Sequence, residues 1–280
     1  MKSIINWEIL QKLTSPPLPD LGGPGPNWDD IAPLYDRMAE MEREYTYRQI
    51  DCLDIAPTDT VLDVGCGPGR LTCALAERAK SVTALDAYPK MLDLCLVNAQ
   101  ARGLGNVLPL RLDWREAEPG ANVAQHDIAV ASRSIGMWDI EKLNNAAKKY
   151  AVIIGWANAP SIPPILAELF AGTAPGEEAG AMPGRREDRR VGYNVVWNMV
   201  YDLGADPNIR VVPDGFRRDF PDQETAYAWL RQIRPFAERY LPVFQQNLAP
   251  YLTPNDDGTV TFLRRTRSYV LWWEPVRLGG

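Results

Sequence analysis

Five short apolar segments alternate with helical segments between residues 60 and 157, and this alternation constrains the fold more than any other feature. The apolar segments read TVLDVG, SVTALD, NVLPLRLD, HDIAVAS and AVIIGWA. Helical patterns lie between most of them, in RLTCALAERA, PKMLDLCLVNAQARG and DIEKLNNAAKKY. Strands that alternate with helices build a parallel sheet covered on both faces. The sequence therefore predicts an α/β fold with a doubly wound, mostly parallel sheet.

The turn after the first strand contains three glycines, Gly65, Gly67 and Gly69, in the segment VLDVGCGPGRL. A missing Cβ lets the chain turn sharply and lets a ligand lie against the backbone. The helix that follows presents free N–H groups to an anion or a polar ligand. The spacing differs from the GxGxxG of dinucleotide-binding folds, because Arg70 occupies the sixth position. Asp63, two residues before the loop, suits a cationic amino group better than a pyrophosphate.

Acidic residues also follow the second and third strands. Asp86 ends SVTALD, where a carboxylate can accept hydrogen bonds from both hydroxyls of a ribose. Asp113 and Trp114 follow the third strand, where an acid can accept from the amine of adenine and an indole can stack on the base. Two alternatives stay open: Asp86 caps the next helix, or Trp114 packs beneath a loop.

The segments VLDVGCGPG, ALD and RLDW resemble, in order, three motifs of class I (Rossmann-like) S-adenosylmethionine-dependent methyltransferases. The resemblance covers about residues 28–156. It implies a seven-stranded sheet, with strands six and seven near 209–216 and 259–273, and S-adenosylmethionine as cofactor with S-adenosylhomocysteine as product. The cofactor-binding residues that it implies are Asp63, Gly65, Cys66, Gly67, Pro68, Gly69, Asp86, Ala87, Met91, Asp113, Trp114 and Ser132.

Long insertions follow the fifth and sixth strands, and they predict the acceptor site. We expect them, at about 157–205 and 217–257, to form a helical cap over the carboxyl edge of the sheet. Residues 1–50 are expected to be an N-terminal tether and lid helix, and residues 51–280 the methyltransferase domain. The segment GTAPGEEAGAMPG is a predicted mobile lid. The predicted acceptor-binding residues are Tyr35, Arg133, Trp156, Tyr193 and Trp197.

The segment after the fourth strand, ASRSIGM, narrows the class of acceptor. It lacks the Pro-Pro-aromatic turn that many base-amino methyltransferases share, a Pro-Cys pair, and the acid of metal-dependent O-methyltransferases. We therefore predict a small organic acceptor and no metal. An RNA or protein methyltransferase and a non-catalytic S-adenosylmethionine-binding protein remain the alternatives, and no catalytic residue is identified.

Composition bears on partners and location. The net charge is −6 and the pI about 5.0, which disfavours nucleic acid as a partner. No apolar run approaches the roughly 20 residues of a membrane helix, so no membrane partner is expected. Four cysteines without a CxxC pair and an amino terminus without signal-peptide character favour the cytoplasm. The oligomeric state is left open, and a dimer is compatible with the sequence.

Overall fold

A computed structural model of the protein describes residues 5–7, 9–10, 27–157, 160–174 and 192–277. Within these ranges eight strands form one sheet in the order β3-β2-β1-β4-β5-β8-β6, and β7 pairs with β8 beside this path. The strands are β1 Thr60–Val64, β2 Ser81–Asp86, β3 Val107–Arg111, β4 His126–Ser132, β5 Ala147–Trp156, β6 Asn208–Phe220, β7 Leu252–Pro254 and β8 Val260–Trp273. This is the α/β architecture that the alternation predicts.

The described ranges also contain nine α-helices. They are α1 Trp28–Met41, α2 Arg43–Ile50, α3 Arg70–Ala76, α4 Pro89–Ala101, α5 Ile140–Ala146, α6 Ile162–Leu169, α7 Tyr193–Asp202, α8 Gln223–Arg231 and α9 Leu241–Leu248. The helix predicted from DIEKLNNAAKKY is too long, because its last four residues begin β5. None of these helices is both long enough and apolar enough to cross a membrane.

The sheet has its topological switch between β1 and β4. Strands β1 to β5 pair in parallel, β8 runs antiparallel to β5, and β6 runs antiparallel to β8. The strand order reverses at β1, where β2 and β3 lie to one side and β4 and β5 to the other. Open α/β sheets bind ligands in the crevice that such a reversal leaves at the carboxyl ends of the strands. The loop after β1 lies at that crevice.

Both faces of the sheet are covered, so its central strands are mostly apolar. On one face α3 and α4 contribute buried leucines such as Leu75 and Leu92. On the other face α5 contributes Leu143, and α7 contributes Val196 and Val200. The position of α7 corrects the predicted cap, because residues 193–202 pack on the sheet beside β8 rather than with the second insertion.

Strand β6 is longer than the sequence predicts, and it leaves the sheet together with β8 as a two-stranded ribbon. Their pairing runs from Asn208↔Trp272 to Phe220↔Val260, whereas β5 pairs with β8 only as far as Trp156↔Ser268. The ribbon therefore projects past the carboxyl end of β5. The short β7 lies along its far end and makes eight strands where seven are implied.

The inner face of the ribbon carries a separate apolar cluster, which is the observed cap. Helices α6, α8 and α9 pack there with α1, around the buried rings of Phe216, Phe244 and Phe262. The first part of insertion 157–205 and most of insertion 217–257 thus meet in this cluster, together with the N-terminal helix. Most of the predicted tether before Asn27, and the part of the predicted lid after Ala174, lie outside the described residues.

Candidate functional site

The three glycines of the loop after β1 differ in what surrounds them. All three have positive φ, at 69° for Gly65, 54° for Gly67 and 87° for Gly69. A Cβ on Gly65 would lie 2.6 Å from Ser134 Cβ, and one on Gly69 would lie 2.8 Å from Cys95 Sγ. A Cβ on Gly67 would meet nothing within 4 Å. Gly65 and Gly69 are therefore required by packing, while Gly67 borders open space that a ligand can use.

Asp86 joins this loop to the end of β2. Its Oδ2 accepts a hydrogen bond from the Gly67 N–H at 2.9 Å, and its Oδ1 accepts one from the Tyr88 N–H at 3.0 Å. Burial raises the pKa of this carboxyl, although the backbone donors oppose the shift. Each carboxylate oxygen keeps a lone pair beyond these bonds. Asp86 thus holds the loop and the start of α4, and it can still accept from ribose hydroxyls.

Asp63 lies beneath the loop and is only 1% exposed. Its Oδ2 accepts a 2.6 Å hydrogen bond from the Thr72 hydroxyl. Burial raises the pKa of Asp63 to about 6, against the lowering effects of Thr72 and of Arg70. A buried carboxylate at this position is costly in the free protein, and a cationic ligand group beside it offsets that cost.

The third predicted contact, after β3, differs from expectation. Asp113 caps a short 3-10 turn and accepts forked hydrogen bonds from Arg115, which hold the pKa of Asp113 below its usual range. Trp114 is 2% exposed and belongs to the core under the sheet. This burial favours the packing alternative for Trp114 over the predicted stacking on adenine.

The remaining predicted cofactor residues line the same crevice or support it. Cys66 is buried, and its contact with Cys95 followed by burial raises its pKa well above the usual range, as expected of a packing thiol. Pro68 O accepts from Asn98, and Met91 is buried in α4. Ser132 ends β4 and accepts a 2.7 Å bond from Arg70. Ala87 follows Asp86 and is half-buried.

Helix α1 lies against this crevice and carries Tyr35. The N-terminal end of α1 meets α4, because Asp29 accepts from the Lys90 N–H at 2.9 Å. Further along α1, Asp36 accepts from Asn98, which also donates to Pro68 of the loop. The Tyr35 hydroxyl is largely buried, and burial followed by the charge of Glu42 raises its pKa. The predicted lid helix is thus linked to the loop through Asn98 of α4.

The guanidinium of Arg133 is not a free cation, although the sequence suggests one. It is 13% exposed, and its guanidinium forms ion pairs with Glu42 and Asp214 and donates to Ser268 at 2.9 Å. Two carboxylates already neutralise it, so the prediction that Arg133 anchors a polar acceptor group needs correction. Sequence reasoning missed Glu42 and Asp214, since both are far from Arg133 along the chain.

The three other predicted acceptor residues lie on two faces of the sheet. Trp156 ends β5, and the guanidinium of Arg133 lies 3.4 Å from its ring centroid. Tyr193 packs at 5.5 Å from the ring of Tyr269, on the opposite face. Trp197 stacks on Tyr201 with an interplanar angle of 10° and supports α7 on the sheet. Only Trp156 lies beside Arg133 and the Glu42 carboxylate.

Comparison with known proteins agrees with this geometry. Residues 61–155 match the family described as methyltransferase domain. An uncharacterized protein of Haemophilus influenzae is 32% identical over 127 residues, which are 44% of this chain and 47% of that protein. A probable cobalt-precorrin-6B C(15)-methyltransferase (decarboxylating) of Methanobrevibacter smithii is 38% identical over 80 residues, 29% of this chain and 42% of that protein. The match thus spans less than half the length of either relative.

Among solved structures, a SAM-dependent O-methyltransferase of Thermotoga maritima has a TM-score of 0.47 and 13% identity, covering 85% of this chain and 67% of that one. The residues present suit an adenosyl cofactor, since the open space at Gly67, the acceptors of Asp86 and the buried Asp63 lie on β1, on the loop after it and at the end of β2. Residues 61–155 thus match the family described as methyltransferase domain, and S-adenosylmethionine is the cofactor that this similarity implies.

Proposed function

We propose that this protein transfers a methyl group from S-adenosylmethionine to a small organic acceptor by in-line displacement. The observation that carries the proposal is Gly67, which combines positive φ, open space at its Cβ position and a hydrogen bond to Asp86. A sulfonium supplies an already activated methyl group. The protein then has to align the acceptor and exclude water.

The proposed cofactor contacts follow the crevice from β1 to β4. The backbone of Gly65 to Gly69 and the carboxylate of Asp63 face the methionine part, and Asp86 with Ala87 faces the ribose. Asp113 and Met91 border the adenine, while Ser132 lies at the side of the transferred methyl. These assignments are supported by the strand ends on which the residues lie and by the open space at Gly67.

The proposed acceptor site lies between α1 and the ribbon, with Tyr35 and Trp156 as its aromatic walls. Both rings belong to the apolar cluster of the cap, which suits an organic acceptor. His126, the single histidine of the chain, begins β4 and therefore lies at the opposite edge of the sheet. The proposal accordingly assigns no histidine base. An acceptor that is a neutral amine or a stabilised carbanion has no need of one.

The relatives support a small acceptor without identifying it. The Methanobrevibacter smithii relative is named as a methyltransferase of cobalt-precorrin-6B, which is a small organic molecule. A shorter match, 44% identical over 57 residues, is to a Photobacterium angustum methyltransferase named for uracil 1939 of 23S rRNA, so RNA remains the competing acceptor. The acidic chain favours the small molecule.

Binding of S-adenosylhomocysteine tests the cofactor half of the proposal. Gly67→Val should abolish binding in calorimetry, because the branched side chain fills the open space at the loop. Gly103→Val is the matched control, since Gly103 also has positive φ and nothing within 4 Å of its Cβ position but lies at the end of α4. Equal affinity in folded Gly67→Val and wild-type protein would refute the reading of the loop.

Methyl transfer from labelled S-adenosylmethionine tests the acceptor half. The proposal expects label in the small-molecule fraction of a whole extract, and it expects the same labelling when the extract is first freed of protein and treated with RNase. Label that appears only in RNA or in protein would favour the macromolecular alternative. Tight cofactor binding without transfer to any fraction would favour a non-catalytic binding protein.

A further inference from the structure

We propose that Arg133 and Glu42 are positioning residues that link the cofactor loop to the wall of the acceptor site, and this inference rests on the function proposed above. Their ion pair joins the junction between α1 and α2 to the end of β4 and to the ribbon. It thereby holds Tyr35 and Trp156 in place around the acceptor, without binding the acceptor itself.

The backbone of Arg133 is the first observation. With φ at 53°, Arg133 is the one non-glycine residue of the described ranges with positive φ. A left-handed conformation costs energy for a residue with a Cβ, and it persists where surrounding contacts fix it. The Arg133 N–H is held by Ile154 O at 3.0 Å, so β5 fixes the turn. This turn directs the side chain away from β4 and toward α1 and the ribbon.

The contacts of the guanidinium are the second observation. One terminal nitrogen donates to Glu42 Oε1, the other donates to Asp214 and Ser268, and one face covers the indole of Trp156. These contacts use both outer edges of the guanidinium and one of its faces. An arginine used in this way orients its neighbours and has little capacity left for an anionic acceptor.

Glu42 carries the link to the cofactor side. It is 97% buried at the side chain, lies between α1 and α2, and has Arg70 Nε 3.7 Å from its Oε2. Arg70 follows the glycine loop directly and donates to Thr46 and Gln49 of α2 at 2.8 and 2.9 Å. Gln49 in turn donates to Asp214. Glu42 is therefore shared by an arginine of the cofactor loop and an arginine of the acceptor wall.

Two buried polar atoms without a partner mark the same region. Within the described residues, Arg133 Nε and Thr266 Oγ1 are buried and make no hydrogen bond to protein. Thr266 pairs in register with Asp214, which is also bound by Arg133. Both atoms therefore belong to the same polar region as the ion pair between Arg133 and Asp214.

The test compares Arg133→Met with Arg218→Met. Arg218 is the matched control, because it also joins α1 to β6 through an ion pair, with Glu40, and covers an indole, that of Trp229 at 4.2 Å. It lies outside the network of Glu42. S-adenosylhomocysteine is the probe, its affinity is measured by calorimetry, and hydrogen exchange is measured with and without it.

In wild-type protein the probe should slow exchange in residues 28–50 and 151–157. Arg133→Met should lose this slowing and bind the probe roughly 5- to 20-fold more weakly, since coupling between sites is reciprocal. Arg218→Met should retain both. Equal behaviour of the two variants would overturn the proposal, because the ion pair would then only dock the helix.

Glu42→Gln keeps the test valid if Arg133→Met does not fold. The amide preserves the size and the hydrogen-bond acceptor of Glu42 but removes its charge, and it should also lose the slowing in residues 151–157. If the probe slows hydrogen exchange in residues 151–157 of folded Glu42→Gln as much as in wild-type protein, the proposal is overturned. Failure of the wild-type protein to bind the probe would instead refute the proposed function, and it is recognised before any variant is compared.

Discussion

Replacing Asp63 by asparagine should change the free energy of unfolding of the free protein, relative to wild type, more favourably at neutral pH than at acidic pH. The same replacement should weaken cofactor binding. Burial raises the pKa of Asp63 from 3.8 to about 6. The unfolded chain releases this proton near its ordinary pKa, whereas the folded chain retains it to about pH 6. Between these values the folded state binds more protons, so the stability of the wild-type protein falls as the pH rises.

The magnitude follows from the shift. A difference of about two pKa units corresponds to about 3 kcal/mol, because one unit is worth 1.36 kcal/mol. The penalty is nearly complete above pH 7 and largely absent below pH 4. Asparagine at position 63 removes this pH dependence but places a buried amide there, at a cost of about 1–3 kcal/mol where its N–H groups lack acceptors. The pH dependence is therefore a cleaner quantity than the absolute stability.

Urea unfolding without cofactor, near pH 4.5 and near pH 7.5, measures the effect. The free-energy difference between Asp63→Asn and wild type should shift by about 2 kcal/mol in favour of the variant at the higher pH. Asp127→Asn is the control, and its stability relative to wild type should depend on pH in the opposite direction. Hydrogen bonds from the backbone N–H and the hydroxyl of Thr60 hold the pKa of Asp127 below its usual range, so its contribution is lost on acidification.

The same substitution should have an unfavourable effect on cofactor affinity, opposite to its favourable effect on stability at neutral pH. If the carboxylate of Asp63 binds the cationic amino group, Asp63→Asn should weaken S-adenosylhomocysteine binding by roughly 1.5–3 kcal/mol. Wild-type affinity should rise as the pH passes through about 6 and Asp63 ionises. A variant whose relative stability does not depend on pH, or one that binds the product as tightly as wild type, would refute this account of the buried acid.

Three further substitutions test individual parts of the structure. Asp86→Ala should weaken S-adenosylhomocysteine binding by about 1.5–3 kcal/mol in calorimetry, and it should also destabilise the free protein by about 1 kcal/mol, since the carboxylate accepts two backbone N–H groups. Gly69→Ala should lower the urea midpoint more than Gly67→Ala does, because its Cβ would meet Cys95 at 2.8 Å. Val200→Ala should cost about 1–2 kcal/mol in the same assay and leave product affinity unchanged, as α7 is part of the sheet's core.

The parallel half of the sheet is predictable from the sequence because its determinants are local. Strands β1 to β5 are short apolar segments bounded by turn residues, and each can be recognised without its partners. The glycine loop is equally local, since the positive φ of Gly65, Gly67 and Gly69 depends on a turn of a few residues. The same holds for Asp86, whose position at the end of β2 follows from the strand itself.

The end of the chain is less predictable because its elements depend on distant partners. Residues 217–220 continue β6 only because β8 pairs with them, and AKKY joins β5 rather than α5 because β4 offers a place in the sheet. The pattern of α7 is that of any amphipathic helix, and it does not say which apolar surface the helix covers. From the sequence, a helix in an insertion is therefore assigned to the cap even when it covers a face of the sheet.

Arg133 shows why charge at a predicted site has to be judged with its partners. In the sequence it is the cation of ASRSIGM, a segment with no acid. Its two carboxylates come from positions 91 and 81 residues away, on the α1–α2 junction and on β6. Once they are counted, the charge of the guanidinium is balanced by its two carboxylate partners. The proposed acceptor region then has aromatic walls from Tyr35 and Trp156 and a charge-balanced ion network behind them, which favours a neutral acceptor group over an anionic one.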